Sequence, residues 1–352
     1  MIAAPAFLGP IANRVDGRLR DLLESETQRW SEFDADLAQP FHELSQLVLL
    51  GGKHLRSAFC FLGFIGAGGD PIDNRVIDAG AALELMHAFA LFHDDVMDGS
   101  ATRRGVPTTH TKSAQQHQAN HWAGESRRFG EGVAILVGDL AFVYADQLLI
   151  DAPPQVWKIW NELRIELNIG QYLDLLGTAQ SERQRSKAER ISRYKSGKYT
   201  IERPLHLGAV LANPDQPAEI IDALSAYGLP LGDAFQMRDD VLGAFGETAI
   251  TGKPVGDDLR EGKPTPLMAI AIARANERQL KVLQLVGTTH LDDAQVADVQ
   301  QVMIETGALA ELESHIHTLT ETALVAVRVA PITQDARDSL VELATFVSWR
   351  DV

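Results

Sequence analysis

The stretch from Glu84 to His110, ELMHAFALFHDDVMDGSATRRGVPTTH, constrains this chain more than any other. Its first half has helical apolar spacing, with Leu83, Met86, Ala90 and Leu91 on the repeating positions, and it ends in Asp94, Asp95 and Asp98. A helix puts Asp94 and Asp98 on one face, about 6 Å apart, a span over which divalent cations and the phosphate oxygens they carry can be shared. Arg103 and Arg104 follow just beyond. A helix apolar enough to be buried pays heavily for three acids near its end unless each charge is paired or binds metal. Something cationic belongs there.

The remainder reads as helix and turn. A helix from Arg14 to about Leu37 closes before Pro40, and a second runs from about Phe41 to Gly51 and Gly52. Those glycines open GGKHLRS, which presents Lys53, His54 and Arg56 either as a ligand-binding turn or as a basic helix start, ahead of the apolar run Ala58 to Ile65. The polar tract from Thr111 to Gly130 reads as an exposed connection, and its histidines, His110, His117 and His121, lack partners at zinc spacing. A helix follows from Gly132 to about Ile150. Another, from Val156 to about Leu176, carries GQYLDL, with Gln171 and Asp174 on one face. The charged segment Ser181 to Lys195 should face solvent and leads into YKSGKYT. A helix from Pro217 to Ala244 ends in a second acidic group, FQMRDDVLGAFG, followed by the loop TGKPVGDDLREGKPT. Strand alternation and fixed-period repeats are not evident. The expected fold is all-α, a single domain over residues 1–352, built as a many-helix bundle around a central cavity, where bundles place their ligand sites.

Composition narrows the function. With 32 basic and 48 acidic residues, a net charge of -16 argues against nucleic acid or an anionic membrane as partner. The single cysteine, Cys60, excludes an internal disulfide and reads as a core residue, which makes the cytoplasm the natural compartment. The start, MIAAPAFLGP, has no basic region and is broken by Pro5, Gly9 and Pro10, unlike a signal peptide. Apolar runs are interrupted by Lys53 and Arg56, by Glu84 or by Asp139, so none approaches the roughly 20 residues of a membrane span.

Two aspartate groups, each at the end of an apolar helix and each followed by basic residues, are far more specific than one. Oxygen-only ligands select hard cations, and Mg2+ favours one or two carboxylates with water and phosphate oxygens completing its shell. Mg2+ bridging to a diphosphate is the economical reading. In order and spacing, GGKHLRS, DDVMDGSATRRGVPT, GQYLDL, YKSGKYT, FQMRDDVLGAFG and GKPVGDDLREGKPT resemble the signature segments of the trans-isoprenyl diphosphate synthases, or polyprenyl synthetases, over roughly Gly51 to Pro266. The resemblance implies Mg2+-dependent condensation of an allylic diphosphate with isopentenyl diphosphate, in the isoprenoid synthase fold, by an enzyme that is usually a homodimer. Carried over by position, Asp94 and Asp98 would ligate Mg2+ with Asp95 close by, and Asp239 would ligate another ion, with Asp240 supporting through water. Arg103, Lys195 and Lys253 would grip the allylic diphosphate, Ser196 and Gln236 would line its site, and Lys53, Arg56, His87 and Arg104 would bind isopentenyl diphosphate. His87 lies two helical turns before Asp94; alternatively it is a hydrogen-bonded core histidine.

One departure matters. The second motif of such synthases usually continues as DDxxD, and its third aspartate position is Gly243 here. Phe89 and Ala90, one turn before Asp94, resemble the chain-length pattern of geranylgeranyl diphosphate synthases and imply a C20 product, with farnesyl or longer products as alternatives; Phe89 can also be read as plain core packing. Three other classes compete. A class I terpene cyclase would lack the basic set of GGKHLRS and Arg104. A non-catalytic subunit of a heteromeric synthase is suggested by Gly243 and opposed by the intact DDVMD. A metal phosphohydrolase is suggested by His93 beside Asp94 but wants further histidine ligands.

Overall fold

The computed structural model describes residues 3–103, 105–246, 255–287 and 291–349, with Asp257 described by its backbone alone. They fall into two compact units, one of Ala6–Phe61 with Asp70–Pro153, the other of Leu62–Gly69 and Pro154–Val352 with Met1–Pro5. Both are helical, in agreement with the all-α expectation.

The first unit holds α1 (Leu8–Phe33), a 3-10 turn (Ala35–Leu37), α2 (Ala38–Leu49), the start of α3 (Leu55–Gly66), α4 (Asn74–Asp98), a two-residue hairpin of β1 (Thr102–Arg103) and β2 (Val106–Pro107), α5 (Thr109–Ala119) and α6 (Ser126–Leu148). Helix α4 is capped by Asp73, whose carboxylate accepts from the Arg75 N–H, and is stopped by Gly99 in the left-handed region at φ 66°. Apolar residues surround it, so it is buried on most faces, from Val76 and Leu83 to Met86 and Phe92. Small residues let its neighbours close in: a Cβ on Gly80 would meet Val15 at 3.1 Å and Ser57 at 3.2 Å, and one on Gly138 of α6 would strike the His93 ring at 2.4 Å.

Three expectations change here. Pro40 does not separate two helices; it sits in the first turn of α2, where a missing N–H costs nothing. The tract from Thr111 to Gly130 is largely helical, in α5 and the start of α6, because the buried face of α5 is made of Thr109, Ser113 and His117 and so carries no apolar periodicity. Finally, α4 is long and apolar enough to cross a membrane, contrary to the sequence expectation, although 61% of its most apolar window is buried inside the protein, as in a core helix.

The second unit begins with the end of α3 and continues through α7 (Pro154–Ala179), α8 (Arg185–Ser192), a π-helical segment (Arg193–Glu202), α9 (Arg203–Ala212), α10 (Ala218–Phe245), the short α11 (Asp257–Glu261), α12 (Pro266–Arg274), α13 (Glu277–Leu283), α14 (Asp293–Glu305), α15 (Ala308–Val329) and α16 (Gln334–Ser348). The segment expected to face solvent packs inward at Ala188 and Ile191 of α8 and then winds into the π-helix. That wide turn needs close backbone contact on two sides. A Cβ on Gly170 of α7 would lie 2.3 Å from the Lys195 nitrogen, and Gly232 of α10 meets Gly197 backbone at less than 3 Å from its missing Cβ.

His206 on α9 is buried beside Arg203, and its Nε2 lies 3.0 Å from the Ser225 hydroxyl. Burial, then the Arg203 charge, pushes its imidazole down to about 4. The unfolded chain therefore binds the proton first, and stability present above about pH 6.5 should drain away as pH falls toward 4. Replacing His206 with Gln should flatten that dependence in urea titrations at pH 7, 5.5 and 4.5; an unchanged slope would show that His206 does not carry it.

Candidate active site

In the first unit the chemistry gathers where α4 ends. The left-handed Gly99 turns the chain back, the Ser100 N–H donates to the Asp95 carbonyl at 3.0 Å, and the β1–β2 hairpin then presents Arg103. Arg103 donates from Nε at 3.0 and 3.1 Å and from Nη2 at 2.7 Å to the Asp95 carboxylate, and its Nη2 stands 4.0 Å from Asp94. Asp95 is buried, while Asp94 and Asp98 are half-buried on the neighbouring face. Asp95 holds the guanidinium, and Asp94 and Asp98 stand on the helix about 6 Å apart, a spacing that suits a shared cation.

The other predicted residues of this unit are less uniform. His87 and Phe89 are half-buried on α4. The Phe89 ring packs 4.9 Å from Phe142 of α6 and 4.6 Å from His93. His93 is itself engaged with the Ile135 carbonyl at 3.1 Å and Asp139 at 3.6 Å, which accounts for it without a metal. Lys53 is exposed and Arg56 half-buried, but His54 between them turns inward at φ 44° to reach Asp16 at 3.3 Å and Glu84 at 3.6 Å. Burial alone would raise the Glu84 carboxyl; His54, Arg56 and Ser57 together hold it below its usual value. Arg104 lies outside the described residues.

In the second unit the π-helix carries Lys195, whose Nζ donates to Asp174 of α7 at 2.6 Å, with Ser196 half-buried beside it. Lys198, three residues on, faces Glu166 and belongs to a cluster with Arg203. On α10, Asp239 is half-buried and Asp240 buried. Gln236 donates to the Asp240 Oδ1 at 3.0 Å, and the other oxygen is buried with no hydrogen-bond partner among the described residues. Burial pushes the Asp240 carboxyl up to about 8, and the nearby Asp258, Asp239 and Asp174 carboxylates add to the rise against the Gln236 hydrogen bond. Lys253 lies outside the described residues.

Each acidic group can therefore take a hard cation. Among the described residues no three acidic, histidine or cysteine side chains close around a point as a metal cage would require. Mg2+ binds through one or two carboxylates and completes its shell with water and phosphate oxygens, which is what aspartates at a helix end can offer. The orphaned Asp240 oxygen and the mutual repulsion of its neighbours are features a bound cation would relieve. The roles of Asp95 and Asp258 are not apparent from spacing alone. Replacing Asp95 with Asn should cost about 1–3 kcal/mol in chemical denaturation, because a buried charged acceptor is lost; undiminished stability would show that the Arg103 pair does not hold the hairpin.

Comparisons with known proteins identify the family and the fold. Residues 38–304 match the polyprenyl synthetase family model. The geranylfarnesyl diphosphate synthase of Aeropyrum pernix is 31% identical over 314 residues, 86% of this chain and 92% of that protein. A (2E,6E)-farnesyl diphosphate synthase of Mycobacterium bovis is 32% identical over 75% of this chain and 71% of its own. Among solved structures, the geranylgeranyl pyrophosphate synthase of Corynebacterium glutamicum, complexed with isoprenyl diphosphate and magnesium, superposes with a TM-score of 0.92 at 36% identity, covering 97% of this chain and 99% of that one.

Proposed function

The chain belongs to the polyprenyl synthetase family and is a prenyltransferase of the all-α isoprenoid synthase fold, and from that premise we propose that it joins isopentenyl diphosphate to an allylic diphosphate with Mg2+ as cofactor, giving a C20 product. The observation that carries this reading is the pair of acid groups at the ends of α4 and α10, each with a cation already positioned in its own unit: Arg103 on Asp95, and Lys195 on Asp174. Asp94 and Asp98 would hold Mg2+ against the allylic diphosphate, and Asp239 would hold another ion. When bound, Mg2+ supplies Lewis acidity that stabilises the departing diphosphate.

This chain's own side chains do the rest. Within its own unit Arg103 is oriented by Asp95 and Lys195 by Asp174, so each would offer a diphosphate a fixed donor with little reorganisation as charge develops. Lys253 is assigned the same role by its position in the sequence. Lys53, Arg56, His87 and Arg104 would bind isopentenyl diphosphate, and Ser196 and Gln236 would line the allylic site. The carbocation must meet the isopentenyl double bond and not water, so the walls near it must be apolar.

Product length differs among the named relatives, so it is read from α4. Phe89, one turn before Asp94 and braced by Phe142 and His93, would form the floor that stops elongation, with Ala90 beside it. A homodimer is proposed through α6, where Leu136 and Val143, seven apart on one face, are 64% and 58% exposed. Buried, unpaired Cys60, its thiol pushed up to about 12 by burial, suits a reducing cytoplasm.

The test is incubation of purified protein with isopentenyl diphosphate, Mg2+ and C5, C10 or C15 allylic diphosphates, with products read by mass spectrometry. Wild type should stop at C20 and Phe89→Ala should extend beyond it, whereas an identical product from both would remove Phe89 from the length control. Asp94→Ala should lower turnover about 10²-fold or more with folding intact; normal turnover would refute the assigned site. Replacing Leu136 and Val143 with Glu should shift sedimentation toward monomer, and an unaltered profile would place any dimer contact elsewhere.

A further inference from the structure

In GGKHLRS, His54 and Ser57 turn into the first unit, while Lys53 stays exposed and Arg56 half-buried. The inward turn is made on a strained backbone. Gly51 takes φ 86°, which suits a glycine, but His54 takes φ 44°, a left-handed conformation that a residue with a Cβ keeps only where its surroundings hold it. The His54 carbonyl then accepts from the Ala58 N–H at 2.9 Å and so opens α3. The strain thus falls between Lys53 and the helix that carries Arg56.

Two carboxylates from other helices hold it there. His54 Nε2 lies 3.3 Å from Asp16 of α1, and its Nδ1 lies 3.6 Å from Glu84 of α4. Glu84 does more than face the ring. Its Oε1 lies 2.7 Å from the Ser57 hydroxyl, and although burial opposes its charge, His54, Arg56 and Ser57 together keep its carboxyl below the usual value. Ser57 also lies 3.0 Å from the Gly80 carbonyl, an approach that depends on the bare backbone of Gly80, since a Cβ there would meet the Ser57 Cβ at 3.2 Å. One carboxylate on α4 therefore engages His54, Arg56 and Ser57 of the same motif, and it stands one turn before His87 on that helix.

We propose that His54 is a positioning residue for isopentenyl diphosphate, pinned between Asp16 and Glu84 so that the turn before it presents Lys53 and the helix after it presents Arg56. The inference rests on the reading of Lys53 and Arg56 as ligands of that diphosphate. His54 touches no substrate; its ring is buried against α1 and α4, and it acts through the backbone on either side. Without the pin the left-handed residue relaxes, and Lys53 and Arg56 lose their fixed spacing. A diphosphate must then order the turn as it binds, which weakens its capture. The allylic diphosphate, assigned to Arg103, Lys195 and Lys253, does not draw on this turn.

The test is steady-state kinetics of the full-length protein with Mg2+, varying isopentenyl diphosphate and the C15 allylic diphosphate separately. His54→Asn keeps a residue that tolerates the left-handed backbone but is too short to span both acids. It should raise KM for isopentenyl diphosphate roughly tenfold, the scale of one misplaced charged contact, and leave KM for the allylic diphosphate within about twofold. Glu84→Gln and Asp16→Asn should shift the same KM in the same direction, and because they leave residue 54 in place they carry the test if His54→Asn fails to fold. A purely structural role would lower the active fraction without separating the substrates. An unchanged KM for isopentenyl diphosphate in these variants, or an equal rise for both substrates, overturns the proposal. Lys53→Gln separates the two levels: a normal KM for isopentenyl diphosphate in that variant overturns the reading of the turn itself, whereas a raised one alongside a normal value in His54→Asn overturns only the role given to His54.

Discussion

The acid end of α10 turns on the Asp240 carboxyl, buried within the field of Asp258, Asp239 and Asp174. Desolvation and like charge both oppose ionisation there, and a core of Met237, Val241, Leu259 and Leu267 prevents the group from relaxing into water. A cation bound there would favour the ionised form. The first unit meets the same problem differently, pairing its most buried aspartate, Asp95, with Arg103 and leaving Asp94 and Asp98 half-buried one turn apart. In both units an acid that would be costly alone is made useful by what faces it.

Glycines at close contacts make this placement possible. Gly170 lets α7 approach the backbone of the π-helix at Lys195, and the Gly197–Gly232 contact seats the same segment on α10. Lys195 thus reaches Asp174 from a backbone held on both sides. Preorganised donors of this kind are what ionisation of an allylic diphosphate demands, because a loose site would spend free energy reorganising around the leaving group's charge.

Much of this was legible in the sequence, for identifiable reasons. The helix before DDVMD carries a strong apolar period and an acidic end, and the order of six motifs pointed to the family later matched. What stayed hidden depends on three-dimensional partners. The polar face of α5 buries Thr109, Ser113 and His117, which no hydrophobic pattern announces. His54 sits in a basic motif yet turns inward, because Asp16 and Glu84 await it from other helices. Gly243 reads in one dimension as a missing aspartate; that the Asp258 carboxylate lies 1.8 Å from the place of its absent Cβ is visible only in the fold. The signal available beforehand was the acidic pair Asp257 and Asp258 in the next loop.

In the proposed reaction each acid group would hold Mg2+ through one or two carboxylates, with diphosphate oxygens completing the shell. The most direct measurement is Mg2+ titration of the wild-type protein by calorimetry, with and without saturating inorganic pyrophosphate. The account predicts weak Mg2+ binding alone and markedly tighter binding when pyrophosphate is present. Equal Mg2+ affinity in the two titrations would contradict it.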